Sequence, residues 1–331
     1  MRVGARMAEM RAVVLSEPGP VENLEIRSLP VPQPRPGWVL IEVMAFGLNR
    51  SELHTRLGLA EGVTFPRVLG IEATGVVAAA PGGEFAEGQQ VAAMMGGMGR
   101  TFDGGYAQYT LVPAAQVVPF RSELPWERIA ALPETLQTAY GSLTVGLDLQ
   151  KGQTLLVRGG TSSVGTAAIA LAKRAGATVL ATTRRADRLD ALAELGVDHP
   201  LVDDGELAKQ VRAIVPDGVD AALELVGAPT LPDTLRAVRV HGTVCFSGIL
   251  SNAWVIPDFY PISYIPNGVR LTSYGGDASD LPADALQDAL GGIADGTLHI
   301  AEPTVYAFDD IHRAHDDMEH DRVVGKIVVR V

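Results

Sequence analysis

Hydrophobic and polar residues follow different patterns in the first part of the chain and in its middle. Up to residue 112, short apolar or alternating runs are separated by turn residues. They predict strands over residues 11–15, 24–29 and 38–44, with further short strands behind them. Four prolines between residues 30 and 36 interrupt regular structure. Short strands, many turns and few helices predict a small barrel-like β domain.

From residue 154 the pattern changes to apolar strand-like runs that alternate with segments of helical periodicity. Helices are predicted for residues 164–175, 186–195, 205–214, 231–238 and 283–294, and strands for 155–157, 177–182, 219–225, 242–247 and 270–273. Such alternation predicts a parallel sheet with helices on both faces. A final strand at 326–330 returns most simply to the N-terminal domain.

The stretch from Gly159 to Gly165, Gly-Gly-Thr-Ser-Ser-Val-Gly, joins the first strand of this series to an Ala-rich helix. Unpaired N–H groups and a partial positive charge at a helix N-terminus suit a pyrophosphate. With the strand at 177–182, the stretch completes a βαβ unit of dinucleotide-binding size. Ser162 replaces the second glycine of the usual fingerprint, either as a tolerated small residue or as an additional phosphate donor. The alternative is a structural turn without a ligand.

Composition and charge narrow the class of protein. The 331 residues are enough for two domains, and 47% hydrophobic residues are ordinary for a globular α/β protein. A formal net charge of −12 argues against a nucleic acid or an acidic membrane as partner. No apolar run reaches the roughly 18 residues of a membrane span. Residues 1–10 lack the apolar core of a secretory signal, so a cytoplasmic location is expected.

The end of the second strand indicates which nicotinamide cofactor is bound. NAD-preferring folds place an acidic residue there, which accepts hydrogen bonds from the ribose hydroxyls, whereas this chain has Arg184 and Arg185. Guanidinium groups supply the charge-assisted donors that a 2′-phosphate requires, so the sequence predicts NADP(H). Two other interpretations stay open: the arginines form an ordinary solvated helix start, or Asp187 accepts from a ribose.

Several motifs together resemble the medium-chain dehydrogenase/reductase superfamily, over nearly the whole chain after Met10. The motifs are Gly47-Leu-Asn-Arg-Ser-Glu-Leu53, Pro66-Arg-Val-Leu-Gly-Ile-Glu-Ala-Thr-Gly75, Gly104-Gly-Tyr-Ala-Gln-Tyr109, Thr138-Ala-Tyr-Gly141, the turn at 159–165 and Gly325-Lys-Ile-Val328. The resemblance implies an α/β fold class: a Rossmann-type doubly wound parallel sheet plus a β-rich GroES-like barrel domain. The implied domains are a GroES-like catalytic domain over 11–130, a Rossmann dinucleotide-binding domain over 131–298 and a C-terminal return to the catalytic domain over 299–331. Residues 1–10 are expected to form a flexible tail, because the first strand-like run begins only at Arg11.

Zinc ligands decide the branch of this superfamily. The zinc-dependent alcohol dehydrogenases that the chain resembles hold their catalytic zinc with a Cys and a His, and the matching positions here are Asn49 and Ile71. Glu72 alone does not make a tetrahedral site, and its other interpretation is a structural carboxylate satisfied within the fold. The structural zinc of the family needs four cysteines, whereas Cys245 is the single cysteine. No metal is therefore expected, and the chain resembles the quinone oxidoreductase branch.

Without a metal, an already electron-poor acceptor is the substrate expected for hydride transfer. We therefore predict an NADPH-dependent oxidoreductase that reduces a quinone or an activated α,β-unsaturated carbonyl. Two alternatives stay open: an enoyl-thioester reductase, and a redox-inactive NADPH-binding regulatory protein. The resemblance also implies a homodimer, and the strand at 270–273 is an edge at which two copies could pair.

Candidate site residues follow from the motifs, from their positions at strand ends and from the resemblance. Cofactor binding is predicted for Asn49, Thr138, Gly159, Gly160, Ser162, Ser163, Val164, Gly165, Thr182, Arg184, Arg185, Ser247, Gly248 and Lys326. Thr138 and Lys326 enter on the resemblance alone, with helix packing and an exposed cation as their alternatives.

Two residues of the first motif are candidates for catalysis. The amide of Asn49 can both donate and accept, so it suits a nicotinamide ribose or the acceptor oxygen. His54 is a candidate proton donor because imidazole titrates near neutrality, although a lone histidine is more often packed or exposed. Residues that could line an adaptable substrate pocket, or equally fill the core, are Met94, Met95, Phe102, Tyr260 and Tyr264.

Overall fold

The structure is a computed structural model, and it describes residues 8–331. Residues 1–7 of the expected tail lie outside the described residues, whereas Glu9 and Met10 already belong to the first strand. The first part of the chain forms β1 (Glu9–Leu15), β2 (Leu24–Pro30), β3 (Trp38–Gly47), α1 (Arg50–Arg56), β4 (Arg67–Val68), β5 (Glu72–Ala79), β6 (Gln90–Met94), β7 (Tyr109–Pro113), β8 (Val117–Pro119), α2 (Trp126–Ala130) and α3 (Pro133–Gly141).

Strands and helices then alternate, as the pattern predicts. The elements are β9 (Thr154–Arg158), α4 (Ser163–Arg174), β10 (Thr178–Thr183), α5 (Leu189–Glu194), β11 (His199–Val202), α6 (Leu207–Ile214), β12 (Val219–Glu224), α7 (Leu231–Ala237), β13 (Val238–Phe246), α8 (Pro261–Tyr264) and β14 (Arg270–Ser273). The last part of the chain contains α9 (Ala283–Asp295), β15 (Thr304–Ala307), α10 (Ile311–Glu319) and β16 (Ile327–Arg330).

The described residues form two compact units. The first comprises 8–134, Asp277–Ala294 and Glu302–Val331, and the second comprises Thr135–Gly276 and Asp295–Ala301. The division at Glu134 lies close to the expected boundary at residue 130. Helix α9 belongs to the first unit through Ala294, although the resemblance implies that it is part of the dinucleotide-binding domain.

The first unit is rich in β structure. One sheet has the order β2-β1-β4, and a larger one has the order β15-β16-β3-β5-β6-β8, with β7 also paired to β3. Strand β16 runs antiparallel to β3 and pairs Val329 with Phe46, so the end of the chain returns to the N-terminal domain as predicted. Phe46 stacks on Tyr106 with ring centroids 4.4 Å apart, and both side chains are fully buried in the core.

The second unit is built on a six-stranded sheet in which every neighbouring pair is parallel. Its order, β11-β10-β9-β12-β13-β14, is the 3-2-1-4-5-6 order of dinucleotide-binding folds. The direction of winding reverses at β9, and ligands of such sheets bind beyond the carboxyl ends of the strands at that point. The prediction of a doubly wound parallel sheet beside a β-rich domain is confirmed.

Two differences from the predicted elements lie around residues 186–202. The predicted helix over 186–195 is a short 3₁₀ turn at Ala186–Arg188 followed by α5. Strand β11 is not predicted by the pattern, because Pro200 cannot donate to a sheet ladder. The structure accommodates Pro200 because β11 is the edge strand of its sheet, where a missing donor on one side is tolerated.

Candidate functional site

The turn after β9 is closed by the hydroxyl group of Ser162. Ser162 is the N-cap residue of α4, and its Oγ accepts a hydrogen bond from the backbone N–H of Gly165 at 3.1 Å. The same hydroxyl donates to the carbonyl oxygen of Gly159 at 2.8 Å. Ser162 therefore caps the helix, and its single proton is used within the turn.

Glycines of the turn allow a very close approach of backbone segments. Gly159 has a φ of 90°, a conformation that L side chains rarely adopt. A Cβ at Gly165 would lie 2.4 Å from the Gly159 carbonyl oxygen, so a side chain there would force the turn apart. Because α4 begins at Ser163, the N–H groups of Ser163 and Val164 belong to its first turn and have no partner within the helix. This arrangement is suited to hold a pyrophosphate.

Strand β10 holds the turn from the side through Thr182. The Thr182 hydroxyl accepts from the Gly159 N–H at 3.0 Å, and its carbonyl oxygen accepts from the Gly160 N–H at 2.9 Å. The side chain of Thr182 is buried, and its two bonds fix the backbone of the turn.

Other cofactor candidates of the second unit lie at the carboxyl edge or in α3. Ser247 follows β13, and its Oγ lies 2.8 Å from that of Ser142. The Gly248 N–H donates to the Glu224 carbonyl oxygen at 3.1 Å. The Thr138 hydroxyl donates to Gln137 Oε1 at 3.2 Å. Ser247 and Gly248 therefore stand at the edge where ligands of such sheets bind.

A buried guanidinium at the end of β9, that of Arg158, belongs to a residue that the sequence analysis did not select. Arg158, 1% exposed, donates to both oxygens of Asp203 at 2.7 Å and to Asp233 Oδ2 at 3.0 Å. Glu224, also fully buried, accepts from the hydroxyl groups of Thr230 and Thr234, and burial raises its pKa. Buried charges persist when they are paired, and this network joins the carboxyl ends of the central strands. An arginine ending an apolar strand was the available signal.

In the first unit, Lys326 forms the centre of a buried polar cluster. Its ammonium group lies 2.5 Å from Asn49 Oδ1, 2.7 Å from Glu72 Oε1 and 3.4 Å from Glu134 Oε2. Burial lowers the pKa of Lys326, but the Glu72 and Glu134 carboxylates outweigh it and the net pKa is raised. The side chain is 3% exposed, which rules out the alternative of an exposed cation.

The cluster also defines what the Asn49 amide can do. Asn49 Nδ2 donates to Glu72 at 3.0 Å and to Glu52 at 3.4 Å, while its Oδ1 accepts from Lys326. Both amide protons are therefore directed at carboxylates, and Oδ1 accepts from Lys326 and, in the capping box at the start of α1, from the Glu52 N–H. The Asn49 amide is thus held in a fixed orientation by its neighbours, and this geometry does not separate its two predicted roles.

Glu52 holds Asn49 from the other side. Its carboxylate accepts from the Asn49 N–H at 3.0 Å and from the Ile71 N–H at 2.7 Å, and the first bond is one half of a capping box at the start of α1. Complete burial raises the pKa of Glu52 to about 7. The spacing Asn49-x-x-Glu52 was a usable sequence signal for this residue, whereas nothing in the sequence indicated Glu134.

The candidates for a substrate pocket in the first unit are mainly packing residues. Met94 is fully buried at the end of β6, and Phe102 meets the ring of Trp38 edge-on at 5.5 Å. Met95 is half-buried and has a φ of 62°. Met95 and Phe102 are thus both partly exposed, whereas Met94 is fully buried and contributes to packing.

The tyrosine candidates belong to the second unit and differ in exposure. Tyr260 is 61% exposed, whereas Tyr264 is partly buried and its ring lies 4.9 Å from that of Phe259. His54, the candidate proton donor, is buried in the last turn of α1 in the first unit. The burial of His54 favours its packed interpretation.

Two family models match this chain. The model described as alcohol dehydrogenase GroES-like domain matches residues 35–122, and the one described as zinc-binding dehydrogenase matches residues 163–287. The quinone oxidoreductase of Lama guanicoe is 27% identical over 339 residues, covering 99% of both chains. The chain belongs to the medium-chain dehydrogenase/reductase superfamily and is quinone oxidoreductase-like.

Solved structures of superfamily members resemble the fold of this chain. A mycobacterial protein complexed with NADPH has a TM-score of 0.85 and 26% identity, covering 97% of this chain and 100% of its own. An NAD-dependent alcohol dehydrogenase has the same TM-score and 28% identity, covering 97% of this chain and 99% of its own. Proteins with this fold thus include one complexed with NADPH and one described as NAD-dependent.

The name of one matched model raises the question whether these residues fit zinc. Ile71 has no ligand atom in its side chain, and Asn49 Oδ1 already accepts from Lys326. The Lys326 ammonium already lies 2.7 Å from Glu72 Oε1, so a second cation beside this carboxylate would be repelled by it. The donor set does not fit a zinc ion. Within residues 8–331, no three His, Cys, Asp or Glu side chains are arranged as a metal site, and no helix is long and apolar enough to cross a membrane.

Replacement of Lys326 by methionine tests the buried cluster. Lys326→Met leaves Glu72 buried without its cation, so we expect a loss of about 3–5 kcal/mol in the free energy of unfolding, measured by urea denaturation. The exposed Lys209, 85% exposed, provides the control, since Lys209→Met should change stability by less than about 0.5 kcal/mol. Equal stabilities of the two variants would contradict the assignment.

The raised pKa of Glu52 predicts a pH dependence of stability. The folded chain keeps a proton on Glu52 that the unfolded chain releases near pH 4.5. The resulting contribution to the free energy of unfolding is fully present below pH 4.5 and is lost as the pH rises through about 7. Between pH 5 and pH 8, wild type should lose about 2–3 kcal/mol more than Glu52→Gln. The amide introduced by this substitution accepts one backbone bond fewer, which adds a penalty that does not vary with pH. Parallel stability curves for both proteins would refute the shift.

Proposed function

We propose that this chain is a zinc-independent oxidoreductase that uses NADPH to reduce a quinone or an activated α,β-unsaturated carbonyl. The observation that carries the proposal is the Lys326 ammonium, buried between Asn49 and Glu72 in the region where related enzymes bind zinc. Without a Lewis acid there, a simple carbonyl or alcohol is poorly activated. An acceptor that is already electron-poor has no such requirement, and quinone oxidoreductases are among the relatives.

The residues of the second unit suit a dinucleotide phosphate. The first-turn N–H groups of Ser163 and Val164 are placed to bind the pyrophosphate, and Thr182 and the Ser162 cap keep the turn in shape. Arg184 and Arg185, just after β10, would receive a 2′-phosphate. Bound NADPH would supply the hydride from its nicotinamide ring.

Turnover provides the direct test of this proposal. We expect NADPH oxidation, followed by its absorbance, with at least one member of a panel of quinones and enones, unchanged by a metal chelator, and no oxidation of simple alcohols with NADP⁺. Gly165→Ala should abolish NADPH binding and turnover together, because its Cβ would lie 2.4 Å from the Gly159 carbonyl oxygen.

Three outcomes would contradict the proposal in different ways. Tight NADPH binding without turnover would favour a redox-inactive binding protein. Turnover confined to enoyl thioesters would favour an enoyl-thioester reductase. One zinc ion per purified chain would refute the zinc-independent mechanism.

We also propose that the functional form is a homodimer paired through β14. This strand is at the edge of the six-stranded sheet, and exposed edges invite pairing. Apolar side chains in the preceding segment are exposed, among them Val255 at 71% and Ile262 at 79%. Exposed apolar groups of this kind mark interaction surfaces.

Sedimentation should give the mass of two chains, each of 34.9 kDa. We expect the double variant Val255→Asp and Ile262→Asp to sediment as a monomer, because burying two carboxylates at an interface is costly. Ile214 is 37% exposed at the end of α6, the helix that follows β11 at the opposite edge of this sheet, so Ile214→Asp serves as the control and should remain dimeric. A monomeric wild-type protein would refute the proposal.

A further inference from the structure

An exposed ion pair occupies the loop that follows β10. Arg185 Nε lies 3.0 Å from Asp187 Oδ1 and its Nη2 lies 2.5 Å from Oδ2, so the guanidinium holds the carboxylate with two parallel bonds. The side chains of Arg185 and Asp187 are 53% and 63% exposed. The Arg185 N–H donates to Thr183 Oγ1 at 3.2 Å, which anchors the start of the loop to the strand.

The position of this pair relates it to the phosphate turn. The residue that precedes Thr183, Thr182, bonds the backbone of the turn through both its hydroxyl and its carbonyl oxygen. In parallel sheets of this order, the carboxyl end of the second strand faces the adenine ribose of a dinucleotide. The Arg185 guanidinium therefore stands where a 2′-phosphate would arrive, but it already has a carboxylate bound in the bidentate geometry that a phosphate would use.

A carboxylate and a phosphate compete for one guanidinium fork. Exposed ion pairs contribute little to stability, so the pair can open when a stronger anion arrives. A 2′-phosphate carries more charge than a carboxylate, yet it must displace Asp187 and then lie close to it. NADH has no such phosphate and leaves the pair intact.

We propose that Asp187 is a specificity-determining residue that limits the preference of this chain for NADPH, by holding Arg185 until a 2′-phosphate displaces it. The inference rests on the proposed function, because it assumes that the second unit binds a nicotinamide dinucleotide. Asp187 acts through Arg185 and needs no contact with the ribose.

Dissociation constants for NADPH and NADH, measured by calorimetric titration of the full chain, test the proposal. We expect Asp187→Asn to tighten NADPH binding roughly two- to tenfold, in line with the small free energy of an exposed pair, and to leave NADH binding unchanged. Arg185→Gln should weaken NADPH binding, and adding Asp187→Asn to that variant should produce no further gain. The gain should shrink at high salt, because the competing charges are exposed.

Asp190→Asn is the matched control, since Asp190 is an exposed acid in the first turn of α5 and its replacement removes the same charge three residues away. An equal gain from Asp190→Asn, or a gain from Asp187→Asn that persists without Arg185, would overturn the proposal in favour of general repulsion. A loss of NADH affinity in Asp187→Asn would overturn it in favour of a direct ribose contact. Failure of wild type to bind either cofactor would instead refute the proposed function itself.

Discussion

The arrangement of the first unit depends on one buried cation. Lys326 reaches from the start of β16 to Asn49 and Glu72, and Glu134 at the start of α3 completes its set of acceptors. A buried ammonium without carboxylates, or these carboxylates without the ammonium, would carry a large desolvation penalty. The four side chains therefore require one another, and they connect the last strand of the chain to its first motif.

In the second unit, the corresponding constraint is steric and lies in the turn between β9 and α4. Gly165 must approach the Gly159 carbonyl oxygen more closely than any Cβ permits, and Ser162 can close the turn only because its hydroxyl reaches both residues. The departure from the usual glycine fingerprint is thus a helix cap. The first N–H groups of α4 stay outside the hydrogen bonds of the turn, because Ser162 and Thr182 bond the backbone of Gly159, Gly160 and Gly165.

Local signals in the sequence account for the fold better than for the site. Apolar periodicity and the turn residues predicted the parallel sheet, because each βαβ unit is encoded by neighbouring residues. The edge strand β11 escaped prediction since Pro200 is acceptable only when a strand has one partner. Glu134 and Lys326 are 192 residues apart, and Arg158 meets Asp203 and Asp233 over separations of 45 and 75 residues. Such pairings depend on how strands and helices come together, so Lys326, Asn49 and Glu72 were recognised by their motifs, while their pairing and the part played by Glu134 were not.

Two ion pairs of this chain illustrate how burial decides what a charge can do. The pair of Lys326 and Glu72 is almost entirely out of water. Neither partner can leave without placing the other in a low dielectric with no compensating charge. The pair of Arg185 and Asp187 has comparable distances but lies in solvent, where water replaces a lost partner at little cost. The first is consequently suited to hold a fixed geometry, and the second to exchange one anion for another. Burial, rather than bond length, therefore separates a structural ion pair from one that can respond to a ligand.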